Sequence, residues 1–343
     1  MTLPDRTAPR KPRRLGLYAP FALAIVLAGA WCVAWFWLAG ETRRRIDAER
    51  DLLVGQDWRV SWSARHVSGF PFRLDVDFEG LTVREPSGWA IAAPILDTEA
   101  WAYAPDHWML VAPDGVVLTR RRAGKVSVTA KVLRASVSGF DQSPPRVSVE
   151  GLDLAFTAAP GANPFSLSAA KELHIHTRAG PGDHGAAWLE LDGARARFPG
   201  LMGRIAGGKP VSLLVDLIYS HAAALAGPSW PAAARAWRDA GGTIDLHRLR
   251  IAAGDALLDG RGGRLSVDDA GRLQGSLTAT LGQASRTLRA LNDENAISPD
   301  AAGSAATVLN ARSHGTIATV TIDFQAGRTT LGPAALGPAP RIF

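Results

Sequence analysis

The chain has 343 residues, of which 47% are hydrophobic and 20% charged, and this composition indicates a folded protein with a packed core and excludes global disorder. The formal net charge is +6, but five basic residues and one acidic residue among the first 14 supply +4 of it, so the rest of the chain is nearly neutral and nucleic-acid binding is not predicted. Cys32 is the only cysteine, which excludes an intramolecular disulfide.

The N-terminus predicts a single membrane anchor. Residues 1–14 form a basic tail, and residues 15–40 form an uncharged, mostly apolar run of 26 residues, while about 20 apolar residues suffice to cross a bilayer. The basic tail predicts a cytoplasmic N-terminus, with the inner membrane as partner and the bulk of the chain in the periplasm. The alternative is a cleaved signal peptide, since residues 28–30 read A-G-A; the apolar run exceeds the usual 7–15-residue core of such peptides, which favours an uncleaved signal-anchor.

Beyond the anchor, the patterns divide the chain into four parts. Residues 41–56 predict a short helical stalk, and residues 57–208 a β-rich N-terminal half, because the hydrophobic period changes to two. Residues 209–242 predict a helical hairpin, and residues 243–343 a β-rich C-terminal half with a helical insertion and a proline-containing edge segment. The predicted fold class is therefore mainly β (α+β): a transmembrane helix followed by a long, bulged, curved antiparallel sheet with helical insertions.

Three predicted strands share an unusual break in their alternation. In each, two alternating apolar residues are followed by an acidic residue and a glycine, and the apolar residues then resume in the opposite phase. The glycines are Gly80, Gly151 and Gly193. A glycine that adds a residue to one strand of a pair is a β-bulge, which bends the strand. The sequence therefore predicts long strands that bend midway.

The strand predicted over residues 72–83 has the clearest alternation between an apolar face and a charged face. Its apolar side chains either fill an ordinary β core or line a concave groove that holds an acyl chain, and both structures require one dry and one wet face. The candidates for lining a lipid groove are Phe72, Leu74, Val76, Phe78, Leu81 and Val83.

No set of residues assembles a catalytic site in the sequence, and no cofactor is predicted. The weak candidates for a metal site are His174 and His176, which share one strand face and would need a third ligand such as Asp183 or His184. A water-exposed polar face explains the same residues, and Arg178 beside them favours that interpretation.

The motifs GFPFR (Gly69–Arg73), WRDAGG (Trp237–Gly242), GGRLSVDDAGRLQG (Gly262–Gly275) and LGPAALGPAPRI (Leu331–Ile342) make the chain resemble the DUF2125 family, a group of uncharacterised single-span alphaproteobacterial proteins. More distantly, the anchor and the bent strands are similar to those of AsmA-type envelope proteins. That second resemblance implies a β-groove connected with lipid traffic and outer-membrane assembly, on grounds of architecture alone.

These observations predict a non-enzymatic, inner-membrane anchored envelope protein that binds or passes lipid, or supports outer-membrane biogenesis. The alternative is a structural or protein-interaction scaffold in the envelope, with a filled core and no ligand. A metal-dependent enzyme that uses His174 and His176 is a weaker one.

Overall fold

The computed structural model describes residues 15–196, 208–253, 256–282, 313–314, 317–331 and 334–343. Its helices are α1 (Leu15–Val54), a short 3-10 helix (Ala222–Leu225) and α2 (Trp230–Asp239). The described strands are β1 (Arg59–Ser61), β2 (Ala64–Ser68), β3 (Arg73–Arg84), β4 (Ala90–Trp101), β5 (Ala104–Val111), β6 (Val116–Arg120), β7 (Gly124–Thr129), β8 (Val132–Ser138), β9 (Arg146–Ala158), β10 (Leu167–Ala179), β11 (His184–Ala196), β12 (Val211–Ser220), β13 (Ile244–Ala253), β14 (Ala256–Val267), β15 (Leu273–Gly282), β16 (Ser313–His314), β17 (Ile317–Gln325), β18 (Arg328–Leu331) and β19 (Ala334–Pro338).

All described strands belong to one antiparallel sheet, which confirms the predicted mainly β fold class. Each long strand pairs with the next one along the chain, so the sheet is a meander from β3 to β19. Some positions in the meander hold two short strands end to end: β5 and β6 pair with different parts of β4, and β8 and β7 pair with different parts of β9. β19 pairs only with β18 among the described strands, which confirms an edge position for the proline-containing tail.

The strand register aligns one apolar face across the whole meander. Directly paired residues run from Val76 on β3 to Val320 on β17, and only Thr98 among them has a polar side chain. The Thr98 hydroxyl donates to the Val76 carbonyl at 2.8 Å, so it needs no water. Between these two ends the row reads Leu110, Ala135, Val149, Ile175, Leu189, Val215, Leu249, Gly260 and Ala279. The neighbouring row on the other face is mostly polar, with Asp75, Glu99, Ser136, Ser148, His176, Asp216 and Arg248 among its members.

Four long strands keep this face apolar through a bend by means of one left-handed residue. In each, a buried residue is followed two positions later by a residue with positive φ, and the next residue again turns inward. The left-handed residues are Gly80 (φ 60°), Asp153 (φ 51°), Gly193 (φ 58°) and Gly262 (φ 65°). The register shifts by one residue at Gly193 and at Gly262, which are bulges of the kind that places a left-handed glycine opposite a paired strand.

Two of the predicted bulge glycines therefore need correction. The register on both sides of Gly80 is continuous, so this glycine reverses the phase by its backbone conformation without an added residue. Gly151 is itself a buried residue before the bend, and Asp153 holds the left-handed conformation in β9. Aspartate is one of the few residues besides glycine that adopts this conformation readily, which explains why the sequence pattern pointed to the wrong position.

The predicted helical hairpin over residues 209–242 is wrong in its first half. Residues 211–220 form the central strand β12, paired with β11 and β13, which is followed by the short 3-10 helix and, in the second half, by α2. In VSLLVDLIYS, Leu214 and Ile218 lie on the same face as Asp216 and mask the alternation, and a short, mostly apolar run without clear alternation does not distinguish a buried strand from a helix. The helices predicted over 285–292 and 299–311 lie outside the described residues.

The sheet coils far enough that the turn between β3 and β4 contacts the start of α2, which follows β12. The backbone N–H of Trp230, at the start of α2, donates to Glu85 in the turn between β3 and β4 at 3.1 Å. Seven steps separate β3 from β12, the strand before α2. At about 20–25° of twist per step, the strand direction turns by roughly 140–175° over that distance.

Gly262 offers a direct test of the left-handed bends, because no atom lies within 4 Å of where its Cβ would stand. We expect Gly262→Ala to lower the free energy of unfolding by about 1–2 kcal/mol, since an L-residue in this conformation is strained. Gly262→Asn should lose less, because asparagine tolerates the conformation. Guanidinium titration of the full-length protein in mild detergent measures both; equal stability of the glycine, alanine and asparagine forms would contradict the assignment.

Candidate functional site

The second half of α1 packs on the apolar face of the first strands. Trp35 and Ala39 of this helix are 5% and 2% exposed, and they share a core cluster with Val67, Val76 and Phe78. Trp62 packs edge-on against Phe78 from the loop between β1 and β2. The helix is thus part of the fold of the β domain from Trp31 onward, and a chain that begins at residue 41 would lose this part of the core.

Two indole groups fix α1 to the GFPFR turn that joins β2 to β3. Trp31 donates from Nε1 to the Pro71 carbonyl at 2.9 Å, and Trp35 donates from Nε1 to the Arg73 carbonyl at 2.8 Å. Phe70 stacks on Phe36 of the helix, with ring centroids 5.9 Å apart, and meets Trp35 edge to face. The most distinctive motif of the sequence is therefore the point where the helix and the sheet are joined.

This packing changes the prediction for the lipid groove. Leu74 and Val76 have no exposed surface, and Phe78 is 8% exposed, so the structure places them in a closed core beneath α1 rather than in an open groove. Phe72 points outward, 59% exposed, and lies against Trp31. Leu81 and Val83 are half-buried beyond the bend of β3.

The partly open portion of the apolar face lies further along the sheet. Five aliphatic side chains on consecutive strands, which we call the apolar strip, are each half-buried and face their neighbours directly. In the described part of the chain, every hydrophobic cluster joins neighbouring strands or α1, and none joins two facing sheets. The apolar strip consists of Val149, Ile175, Leu189, Val215 and Leu249.

The sequence held a partial signal for the apolar strip. Val149 and Leu189 belong to the alternating motifs that contain the acidic residue and the glycine, and Ile175 lies between the two histidines. Val215 was hidden because its segment was assigned to a helix, in which it would not face a neighbouring strand.

The histidine pair lies on the polar face. His174 and His176 stack with ring centroids 6.4 Å apart, His176 hydrogen-bonds to the Ser148 hydroxyl at 2.9 Å, and both rings contact Trp188. Asp183 instead accepts a hydrogen bond from the backbone of Ala223. Among the described residues, no group of three or more His, Cys, Asp or Glu side chains is placed to hold a metal ion.

A second feature of the polar face is a row of carboxylates on β3 and β4. Asp77 lies directly opposite Asp97, next to Asp75 on the same strand. Partial burial, followed by repulsion from Asp97 and Asp75, raises the pKa of Asp77, while His66 and Arg73 oppose the shift. Arg73 forms ion pairs with Asp75 at 2.9 Å and with Glu99 at 3.2 Å, so the row is solvated and partly neutralised.

A cleft of about 600 Å³ opens at the bend of β14, lined by His184, Ile218, Leu246 and His247 among others. Its main charged groups satisfy one another, because Arg264 binds Asp245 at 2.8 Å. The arrangement provides neither a nucleophile next to a base nor a free cationic group for an anion.

Residues 35–340 match the model of a family described as uncharacterized proteins conserved in bacteria, DUF2125. The chain belongs to the DUF2125 family. No curated protein and no solved structure matches it. The distant likeness to AsmA-type proteins and the restriction to alphaproteobacteria stay predictions.

The family match begins at Trp35, the residue that fixes the helix to the GFPFR turn. The DUF2125 segment therefore includes the helical half that packs on the sheet. α1 is also the one described helix long and apolar enough to cross a membrane, a property that membrane anchors share with signal sequences.

The indole bond of Trp35 gives a prediction about the joint between helix and sheet. Trp35→Phe removes the donor to the Arg73 carbonyl, and a lost hydrogen bond of this kind costs about 0.5–1.5 kcal/mol. We expect the Arg73 and Ala102 amides, which bond to Gly69 and Phe72 in this turn, to exchange with deuterium roughly two- to tenfold faster. The matched control is Trp37→Phe, which changes an exposed indole of the same helix; equal protection in both variants would contradict the role of Trp35.

The carboxylate row gives a prediction about pH. Because the native-state pKa of Asp77 is raised above the ordinary aspartate value of 3.8, the folded state loses stability as pH rises through the range in which this group ionises. Asp77→Asn should therefore raise the free energy of unfolding at pH 7 by about 0.2–1 kcal/mol, the size of a like-charge cross-strand effect. Thermal melts should show this gain disappear near pH 3. A control change of the exposed Asp106 to Asn should give no such pH-dependent gain.

Proposed function

We propose that this protein is a non-enzymatic, membrane-anchored protein whose apolar strip binds the acyl chains of a lipid or similar amphiphile. The anchor is α1, with the β domain on the periplasmic side of the inner membrane. The observation that carries the proposal is the half-buried apolar strip in the middle of a face that is closed near its two ends.

The apolar face is closed at both ends and partly open along the apolar strip between them. At the β3 end, α1 covers Val76 completely. At the other end, Ala279 and Val320 are 1% and 5% exposed. Between them, five branched aliphatic side chains retain partial exposure along a line that crosses five strands. Strands lie about 4.8 Å apart, so this line is roughly 20 Å long, a length that suits an extended acyl chain.

The left-handed bends support the same proposal. Each bend keeps the apolar side chains on one face while the strand changes direction, so a curved surface retains a single dry side. On the polar face, ion pairs join Arg73 to Asp75 and Arg134 to Glu150, and His176 hydrogen-bonds to the Ser148 hydroxyl.

Photo-crosslinking in cells tests the proposal with the full-length chain. The photoreactive residue p-benzoylphenylalanine replaces Leu189 on the apolar strip or, as the matched control, the adjacent Trp188 on the opposite face. Lipids are labelled with radioactive phosphate, and the purified protein is analysed after illumination. We expect a labelled lipid adduct at position 189 several-fold stronger than at position 188.

Three results would overturn the proposal. Equal lipid adducts at both positions would indicate contact without a binding face. A crosslink from position 189 to another part of the same chain would identify a filled core, and a crosslink to a second protein would favour an interaction scaffold.

A further inference from the structure

The exposed aromatic residues of the β domain are concentrated at the end of the sheet that touches α1. Phe70 and Phe72 lie in the turn between β2 and β3, and Trp101 and Tyr103 lie in the turn between β4 and β5; we call these four residues the aromatic tip. Their side chains are between 49% and 66% exposed. A cluster of large apolar rings on a protein surface marks a contact with a partner or a membrane.

The two turns of the aromatic tip form one rigid unit. The Ala102 amide donates to the Phe72 carbonyl at 2.9 Å, and Trp101 pairs with Arg73 across the strands. Trp101 and Tyr103 stack with ring centroids 5.5 Å apart. The tip thus presents its rings as one fixed surface.

The position of the tip along α1 identifies its partner. From Leu15, about 20 residues of helix reach Trp35 and cover roughly 30 Å, the thickness of the hydrocarbon core of a bilayer. The tip contacts the helix at this level, because Phe72 lies against Trp31 and Phe70 stacks on Phe36. If α1 spans the membrane, the tip lies at the membrane–water interface.

The chemistry of the neighbouring residues fits that interface. Aromatic side chains concentrate at the boundary between acyl chains and headgroups. Phe36 on α1, which stacks on Phe70 of the tip, is 65% exposed, and the exposed Arg43 follows about two helical turns later, at a height that suits lipid phosphates.

We propose that the aromatic tip inserts into the outer-leaflet interface of the membrane that α1 spans, and so holds this end of the sheet against the lipid. This inference rests on the proposed membrane span of α1 but is independent of lipid binding at the apolar strip. The β domain then stands on the bilayer at two points, the helix and the tip, with its strands directed away from the surface.

Site-directed fluorescence of the full-length protein in phosphatidylcholine–phosphatidylglycerol vesicles tests the insertion. In a Cys32→Ser background, a single cysteine replaces Tyr103 and carries a bimane label. Vesicles with a nitroxide group at acyl carbon 5 quench labels that lie at the interface. We expect at least twofold quenching at position 103 relative to vesicles without nitroxide.

Two further positions serve as controls. Trp89→Cys labels an exposed aromatic position at the opposite end of β4, about 40 Å away along the strand, and should show no quenching. Trp37→Cys labels the exposed side of α1 and should be quenched whenever the helix is inserted.

The outcomes separate the two proposals. Quenching at 37 without quenching at 103, or equal quenching at 103 and 89, overturns insertion of the tip and leaves the anchor intact. No quenching at 37, together with failure of the protein to float with the vesicles, overturns the membrane span itself, and the tip proposal with it.

Discussion

Successive side chains of a β-strand point to opposite faces, and this alternation constrains every other feature of the molecule. A left-handed residue that interrupts the alternation lets a strand bend while its apolar side chains stay on one face. Gly80, Asp153, Gly193 and Gly262 are such residues, each placed between two inward-facing positions. They keep the inward side of these strands apolar on both sides of each bend, and the row from Val76 to Val320 lies on that side. The core under α1 and the apolar strip are two portions of this one surface.

The difference between those two portions depends on what covers them. At β3 the face is closed by a helix whose indole groups are bonded to the backbone of the GFPFR turn. Along β9 to β13 the same kind of side chain remains half-buried, because the described clusters there join only neighbouring strands. Because α1 is fixed to one end of the sheet, the apolar strip keeps a constant orientation to this helix.

The sequence predicted those features that depend on local pattern. Alternation identified the β domain, and the acid–glycine words located the bend of β11 at Gly193 and the phase reversal at Gly80. The pattern failed where a non-glycine residue performs the same conformational task, as Asp153 does, and where apolar residues on the second face mask the alternation, as Leu214 and Ile218 do in β12. The sequence also selected Leu74 and Val76 for a groove, since alternation shows which residues share a face but not which other element covers that face. The docking of α1 on them depends on contacts between residues some 40 positions apart.

The same limit explains why the contacts of the GFPFR turn with α1 could not be read from the sequence. As a sequence word it marks a turn before an alternating strand. In the structure it accepts two indole hydrogen bonds from α1, stacks Phe70 on Phe36, and exposes Phe72 beside Trp31. Its backbone carbonyls therefore face the helix, while its rings face outward at the level where the apolar run of α1 ends. A turn required only to reverse the chain would need no aromatic rings on its outer side. Phe72 against Trp31 and Phe70 against Phe36 extend the contact between turn and helix beyond the two indole hydrogen bonds, and these two rings are half of the aromatic tip that we propose to insert into the lipid interface.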